Sequence, residues 1–256
     1  MAMYDRRPNI NTSKRLPIVF CLDVSPSMGW QVGLNSPSID LLNAAVSNFV
    51  AELKDDPKAR TCAEIAFVTF STHIELDTEF TSVKSLEIPK LKAVEEGGTQ
   101  IAKAVLRSIE KIEERRRNLE DKGIPYYAPF LVLVTDGNPD ENDEPDLQEK
   151  ALKLVRSHCT SNVGASEIIV PFIIGVGDFT VSKTLTSYSA GFVDGYFPIK
   201  GSTGAVARVK FHDVFQMIGN STKKAIDLNK KSRSNNENIE TIKADMGELM
   251  KKLNGE

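Results

Sequence analysis

Leu16-Pro17-Ile18-Val19-Phe20-Cys21-Leu22-Asp23-Val24-Ser25-Pro26-Ser27 passes from seven residues without a charge into an acid and two serines. An apolar run of that length suits a strand covered on both faces, and open α/β sheets gather their ligands just beyond the carboxyl ends of such strands. Two later segments have the same character: Gly97-Gly98-Thr99, ahead of a helical pattern, and Leu131-Val132-Leu133-Val134-Thr135-Asp136-Gly137, a second apolar run that ends in an acid. Each sets oxygen-bearing side chains beside glycine or at the end of a strand, which is how an open site for a hard cation is assembled. Together they read as one divalent-metal site made by Asp23, Ser25, Ser27, Thr99 and Asp136.

Apolar runs and amphipathic segments alternate along the rest of the chain, the order of a parallel sheet with crossover helices. Strand-like runs occupy residues 18–22, 64–70, 130–135, 168–176 and, more weakly, 195–199. A short piece at 73–76 is expected to pair back on 64–70 through a tight turn at Ser71-Thr72. Helical spacing is clear at 38–54, where Ile39, Leu42, Val46, Phe49 and Leu53 fall on one stripe, and at 99–120, which places Thr99 at a helix start. Further helices are predicted over 145–159, 181–188 and 206–228. The fold class is therefore α/β: a Rossmann-like, doubly wound, mainly parallel sheet flanked by helices, with one short antiparallel edge strand. The run Glu113-Glu114-Arg115-Arg116-Arg117 reads as a solvated helix face.

The predicted organisation is a polar segment at 1–14, one domain at 15–228, and a polar linker with a short amphipathic helix at 229–256. Ile239, Ile242, Met246, Leu249 and Leu253 give that last helix an apolar stripe, but it is too marginal to fold without a partner or the domain body.

With 41% hydrophobic and 26% charged residues, 256 residues can bury one sizeable core. A formal net charge of -3 provides no general field for nucleic acid or an anionic membrane, so neither is expected as a partner. Cys21, Cys62 and Cys159 are an odd number without a C-x-x-C spacing, which speaks against a disulfide framework or a zinc site. The polar first fifteen residues and the short run after them show neither a signal-peptide pattern nor a membrane-length segment, and a cytoplasmic location is expected.

The proposed ligands are hard oxygens. Three are neutral hydroxyls and two are carboxylates acting directly or through coordinated water, a set that suits Mg2+ or Mn2+ and places Ca2+, which prefers more carboxylates, behind them. With so little anionic charge around it, such an ion keeps the power to attract an outside acid.

Asp23, Ser25, Ser27, Thr99 and Asp136 resemble, in order and in placement, the metal-ion-dependent adhesion site of the von Willebrand factor A family. The resemblance covers about residues 15–228. It implies a Rossmann-like fold, magnesium or manganese coordination, and binding of a protein that offers a Glu or Asp to the metal. Pro26 stands where the family often has glycine, a change expected to stiffen the loop and leave the serine hydroxyls free. Lys14-Arg15-Leu16-Pro17 and the short carboxyl-terminal extension look most like cytoplasmic bacterial members of tellurium-resistance type. That likeness implies a stress-response complex with kinase-like or phosphatase-like partners.

Beside the site, Trp30 reads either as an exposed anchor for a partner or as a ring packed over its own loop. Asp140, Glu141 and Asp143 read either as a solvated helix start or as an acidic collar that selects basic groups on the partner. His73, His158 and His212 are scattered and form no ligand pair. A magnesium-dependent phosphoryl-transfer hydrolase with Asp23 as nucleophile is the competing activity, but such enzymes carry a second acid where this chain has Ser25. No G-x-S-x-G, P-loop, H-E-x-x-H or dinucleotide fingerprint occurs, so an enzyme is not expected. A scaffold with a purely structural metal is the remaining alternative.

Overall fold

Both faces of Leu16–Asp23 (β1) are buried along its whole length. The computed structural model describes residues 13–30, 36–137, 145–159, 168–177, 182–193, 195–199, 204–227 and 235–254. After β1 the strands are Ala63–Phe70 (β2), Ile74–Asp77 (β3), Thr81–Ser82 (β4), Phe130–Thr135 (β5), Val170–Val176 (β6) and Phe197–Ile199 (β7). They form one sheet in the order β3-β2-β1-β5-β6-β7, with the two-residue β4 also paired to β2. The pairings from β2 through β1, β5 and β6 to β7 are parallel, whereas β3 and β4 run antiparallel to β2. The mainly parallel sheet with its short antiparallel edge is as expected; β4 is too short to leave a periodic signal.

The helices are Ser38–Asp55 (α1), Ala59–Cys62 (α2), Ile101–Asp121 (α3), Pro145–Cys159 (α4), Ser182–Tyr188 (α5), Gly204–Asp227 (α6) and Asn235–Asn254 (α7). Alternate residues of β1 face opposite layers, as the two-residue period of a strand dictates. Ile18, Phe20 and Leu22 join Leu42, Phe49, Phe215 and Met246 beneath α1, α6 and α7. Val19 and Cys21 join Val105, Ile109, Val155 and Tyr188 beneath α3, α4 and α5. Phe20 sits at the centre of the first layer, 5.4 Å from the Phe49 ring, 5.6 Å from Phe67 and 6.0 Å from Phe215. Such ring pairs add about 0.5–1.5 kcal/mol each beyond their buried area.

The charge run on α3 is only partly a solvated face. Arg115 forks onto both oxygens of Glu64, a residue on β2 with 6% exposure, at 2.7–2.9 Å. Arg116 is itself buried, donating to the Ile168 carbonyl at 2.7 Å and to Glu113 at 2.6 Å. The expectation of solvation is corrected here because α3 lies across the sheet, where an inward-facing arginine is held by charge-assisted hydrogen bonds.

The carboxyl-terminal helix finds its cover within the chain. Ile239, Ile242, Met246, Met250 and Leu253 are buried in the same layer as α6 and β7. Lys224–Asp245 at 2.6 Å and Lys252–Asp213 at 2.8 Å tie α7 to α6 across the solvent side. All three cysteines are free, and burial pushes the Cys21 and Cys159 thiols up to about 12.

Candidate functional site

Asp23 closes β1 and Asp136 follows β5, and those strands are hydrogen-bonded neighbours with Leu22 opposite Val134. After β1 the chain first winds to β2 on one side and later returns to β5 on the other. The gap between their carboxyl ends is therefore the switch point where an open sheet leaves room for a ligand.

Both oxygens of Asp23 are engaged: Oδ1 accepts from the Ser25 amide at 2.8 Å and Oδ2 from the Thr135 hydroxyl at 2.5 Å. Ser27 donates its hydroxyl proton to Asp136 Oδ1 at 2.7 Å. The Ser25 and Ser27 hydroxyl oxygens are 3.1 Å apart. A hydroxyl has one proton, and Ser27 gives its own to Asp136, so in that contact Ser27 can only accept and the chain of oxygens runs from Ser25 through Ser27 to Asp136. A short 3-10 helix at Pro26–Gly29 carries Ser27, with Pro26 at its start, where the missing amide costs no hydrogen bond. Val24 and Met28 point into the core and anchor the loop, while Ser25 and Ser27 face the switch point.

Thr99 arrives from the third segment. It is 7% exposed and lies against Gly137, where a Cβ would stand only 2.9 Å from its Oγ1. Residue 137 must therefore lack a side chain for the Thr99 hydroxyl to reach this place. Thr99 does not start a helix as expected: α3 begins at Ile101 with Gln100 ahead of it and no side-chain cap. Its hydroxyl is turned to Gly137 rather than to the free amides of the helix.

Of the five residues singled out in sequence, Asp23, Ser25, Ser27 and Asp136 are thus joined by hydrogen bonds, and Thr99 stands beside Gly137, the next residue after Asp136. Burial first, and then the charge of Asp23, push the Asp136 carboxyl up to about 7. Burial also raises Asp23, against the opposing hydrogen bonds from Ser25 and Thr135. Among the described residues no basic side chain pairs with either acid. Two carboxylates and two serine hydroxyls in one hydrogen-bonded group, with the Thr99 hydroxyl beside the adjoining Gly137 and no compensating cation among the described residues, fit a hard divalent ion. Among the described residues no group of three or more His, Cys, Asp or Glu side chains offers a different kind of centre.

Trp30 follows the 3-10 turn. Its amide donates to the Ser27 carbonyl at 2.9 Å and its carbonyl accepts from Ser38 at 3.2 Å, yet the residue is 68% exposed. The ring is therefore not packed over its loop, and it is the one exposed large hydrophobic among the described residues. Asp140, Glu141 and Asp143 lie outside the described residues. Two contributors went unassigned in the sequence. Thr135 is fully buried and links Asp23 to the Gly137 amide, and the Ser71-Thr72 turn touches the Thr99 segment. Thr135 had a signal, a hydroxyl ending an otherwise apolar strand; Ser71 and Thr72 had none beyond turn chemistry.

A family model described as the von Willebrand factor type A domain matches residues 18–192. Among solved structures, the fold is similar to the PilB minor pilin from Streptococcus sanguinis, at 13% identity and a TM-score of 0.53, covering 81% of this chain and 62% of that one. It is similar also to proximal thread matrix protein 1 from the mussel byssus, at 17% identity and a TM-score of 0.53, covering 81% and 47%. A third is the pilus adhesin SpaC from Lactobacillus rhamnosus GG, at 12% identity and a TM-score of 0.51, covering 80% and 31%. At such identities the likeness is one of fold, and this chain spans less than two thirds of each of those proteins. No curated protein sequence matches the chain.

Proposed function

Because the chain belongs to the von Willebrand factor type A domain family, we propose that it is a metal-dependent protein-binding module. Asp23, Ser25, Ser27, Thr99 and Asp136 hold a divalent cation, Mg2+ or Mn2+ ahead of Ca2+, for the carboxylate of a Glu or Asp on a partner protein. The observation that carries this reading is the hydroxyl chain from Ser25 through Ser27 to Asp136, set beside a second buried acid with no cationic neighbour among the described residues. When bound, the ion supplies a Lewis-acidic position for an outside oxygen. The chain's own residues keep that position strong, since neutral hydroxyls leave most of the positive charge uncancelled.

Asp23 is 0% exposed with both oxygens in hydrogen bonds, which suits contact through coordinated water more than attack on a phosphoryl group. Ser27 and Asp136 are half-buried, so the site has an open side. These features favour binding over a magnesium-dependent hydrolase or a sealed structural metal. On the rim, Trp30 offers its exposed indole to the partner, and the acids Asp140, Glu141 and Asp143, read from sequence alone, are the candidates to select basic groups flanking the partner's carboxylate. The setting is a cytoplasmic stress-response complex of the bacterial tellurium-resistance type, with kinase-like or phosphatase-like proteins as partners. No helix among the described residues is long and apolar enough to cross a membrane.

Calorimetric titration with Mg2+ tests the site. Wild type should bind and Asp23→Ala should not, and a partner pulled down from the native extract should be lost on adding chelator. Equal binding by both proteins, or by neither, removes the proposal.

A further inference from the structure

The segment that delivers Thr99 is fastened on both sides to the turn between β2 and β3. On its amino side the Gly98 amide donates to Thr72 Oγ1 at 2.6 Å. On its carboxyl side the Gln100 amide donates to the Ser71 carbonyl at 2.9 Å. Gly97, at φ 140°, passes so close that a Cβ there would stand 3.0 Å from Thr72 Oγ1 and 3.5 Å from Ser71 Oγ. The turn itself is braced: the Ser71 amide donates to the His73 carbonyl at 2.9 Å, and the Ser71 hydroxyl donates to Glu75 Oε1 at 2.5 Å.

Residues 86–100 contain no helix or strand. A connection of that length has many conformations open to it, and regular structure does not by itself set where Thr99 stands. Bonds to the residues immediately before and after Thr99 leave its backbone little freedom. Ser71 and Thr72 directly follow β2, whose Phe70 pairs with Asp23, so the turn refers the Thr99 segment to the same sheet that carries Asp23.

We infer that the Ser71-Thr72 turn is a positioning element of the site, a template that sets the Thr99 hydroxyl against Gly137 without itself supplying an oxygen to a ligand. The inference rests on the reading that Thr99 serves a metal. Thr72 is the separable half of the template, because Thr72→Val keeps the shape and removes the acceptor, whereas Thr72→Ser keeps the hydroxyl.

Wild type, T72V and T72S are to be titrated with Mg2+ by calorimetry and, in chelator, compared for Gly98 amide exchange by NMR and for thermal melting. T72V should bind Mg2+ about tenfold more weakly, the scale set by one lost hydrogen bond to a partly buried amide. Its Gly98 amide should exchange faster while the melting temperature changes little, and T72S should restore both affinity and protection. If wild type binds Mg2+ and T72V matches it, or if T72S is as impaired as T72V, the template is refuted and the metal site stands. If wild type takes up no Mg2+, the metal reading falls and the inference falls with it.

Discussion

The hydroxyl of Ser27 reaches Oδ1 of Asp136 at 2.7 Å across 109 positions of sequence. Nothing local to either residue produces that contact. It exists because β1 and β5 are adjacent and parallel, so their carboxyl ends open on the same gap. One hydrogen bond thereby joins the D-x-S-x-S loop to the second acidic loop and defines the floor of the proposed site.

Acid titration of the metal-free protein should expose the cost of burying the Asp136 carboxylate, and after it the repulsion from Asp23. The Asp136 carboxyl, pushed up to about 7, retains its proton in the folded state at pH values where the unfolded chain, near 3.8, has lost it. The folded state therefore binds more protons between these values, and this group's contribution to stability is present below the lower one and lost as pH rises to the higher. The loss should amount to about 2–4 kcal/mol. Urea unfolding in chelator should show wild type weakening over this range relative to Asp136→Asn; parallel profiles would contradict it.

Thr135→Val tests the link beneath the acids. The variant keeps the buried shape but removes the donor to Asp23 Oδ2 and the acceptor for the Gly137 amide. A buried carboxylate deprived of a hydrogen bond costs about 1.5–3 kcal/mol. Denaturant midpoints in chelator measure this directly, and Mg2+ affinity should fall as Asp23 loses its orientation.

Gly137→Ala should separate binding from stability. Its Cβ would stand 2.9 Å from Thr99 Oγ1, closer than real Cβ atoms come, so Thr99 must move. The expected result is a Mg2+ affinity lower by about tenfold or more at a stability cost of about 1 kcal/mol. Unaltered affinity by calorimetry would show that Thr99 has no share in the site.

Met246→Ala probes whether α7 is part of the core in solution. Met246 is fully buried in the layer shared with Phe20 and Phe215, and truncating it should cost about 2–5 kcal/mol. A urea midpoint unchanged from wild type would mean that α7 is detached.

The principal strands were legible from apolar runs, because a strand buried on both faces is apolar along most of its length: 130–135 was read to the residue, and β1 extends the run read at 18–22 only at its ends. Helices α1, α3 and α4 were legible for the matching reason, a one-sided stripe at helical spacing. Thr99 was misplaced at a helix start because G-G-T before an amphipathic stretch is also what a capped helix looks like. The charge run at Glu113 to Arg117 misled in a similar way, since composition does not reveal that Glu64 waits beneath Arg115.

By itself, the sequence marked the principal strands and helices, the α/β class and five candidate oxygen-bearing residues, because periodicity and turn chemistry act over a few residues and leave local marks. Only the tertiary structure decided that Ser27 meets Asp136, that Thr135 links Asp23 to Gly137, that a distant turn holds the Thr99 segment, and that α7 closes the layer over α6 and β7. Those relationships depend on strand order and on which faces pack together. Both are set by burial of the whole chain at once, and no local pattern encodes them.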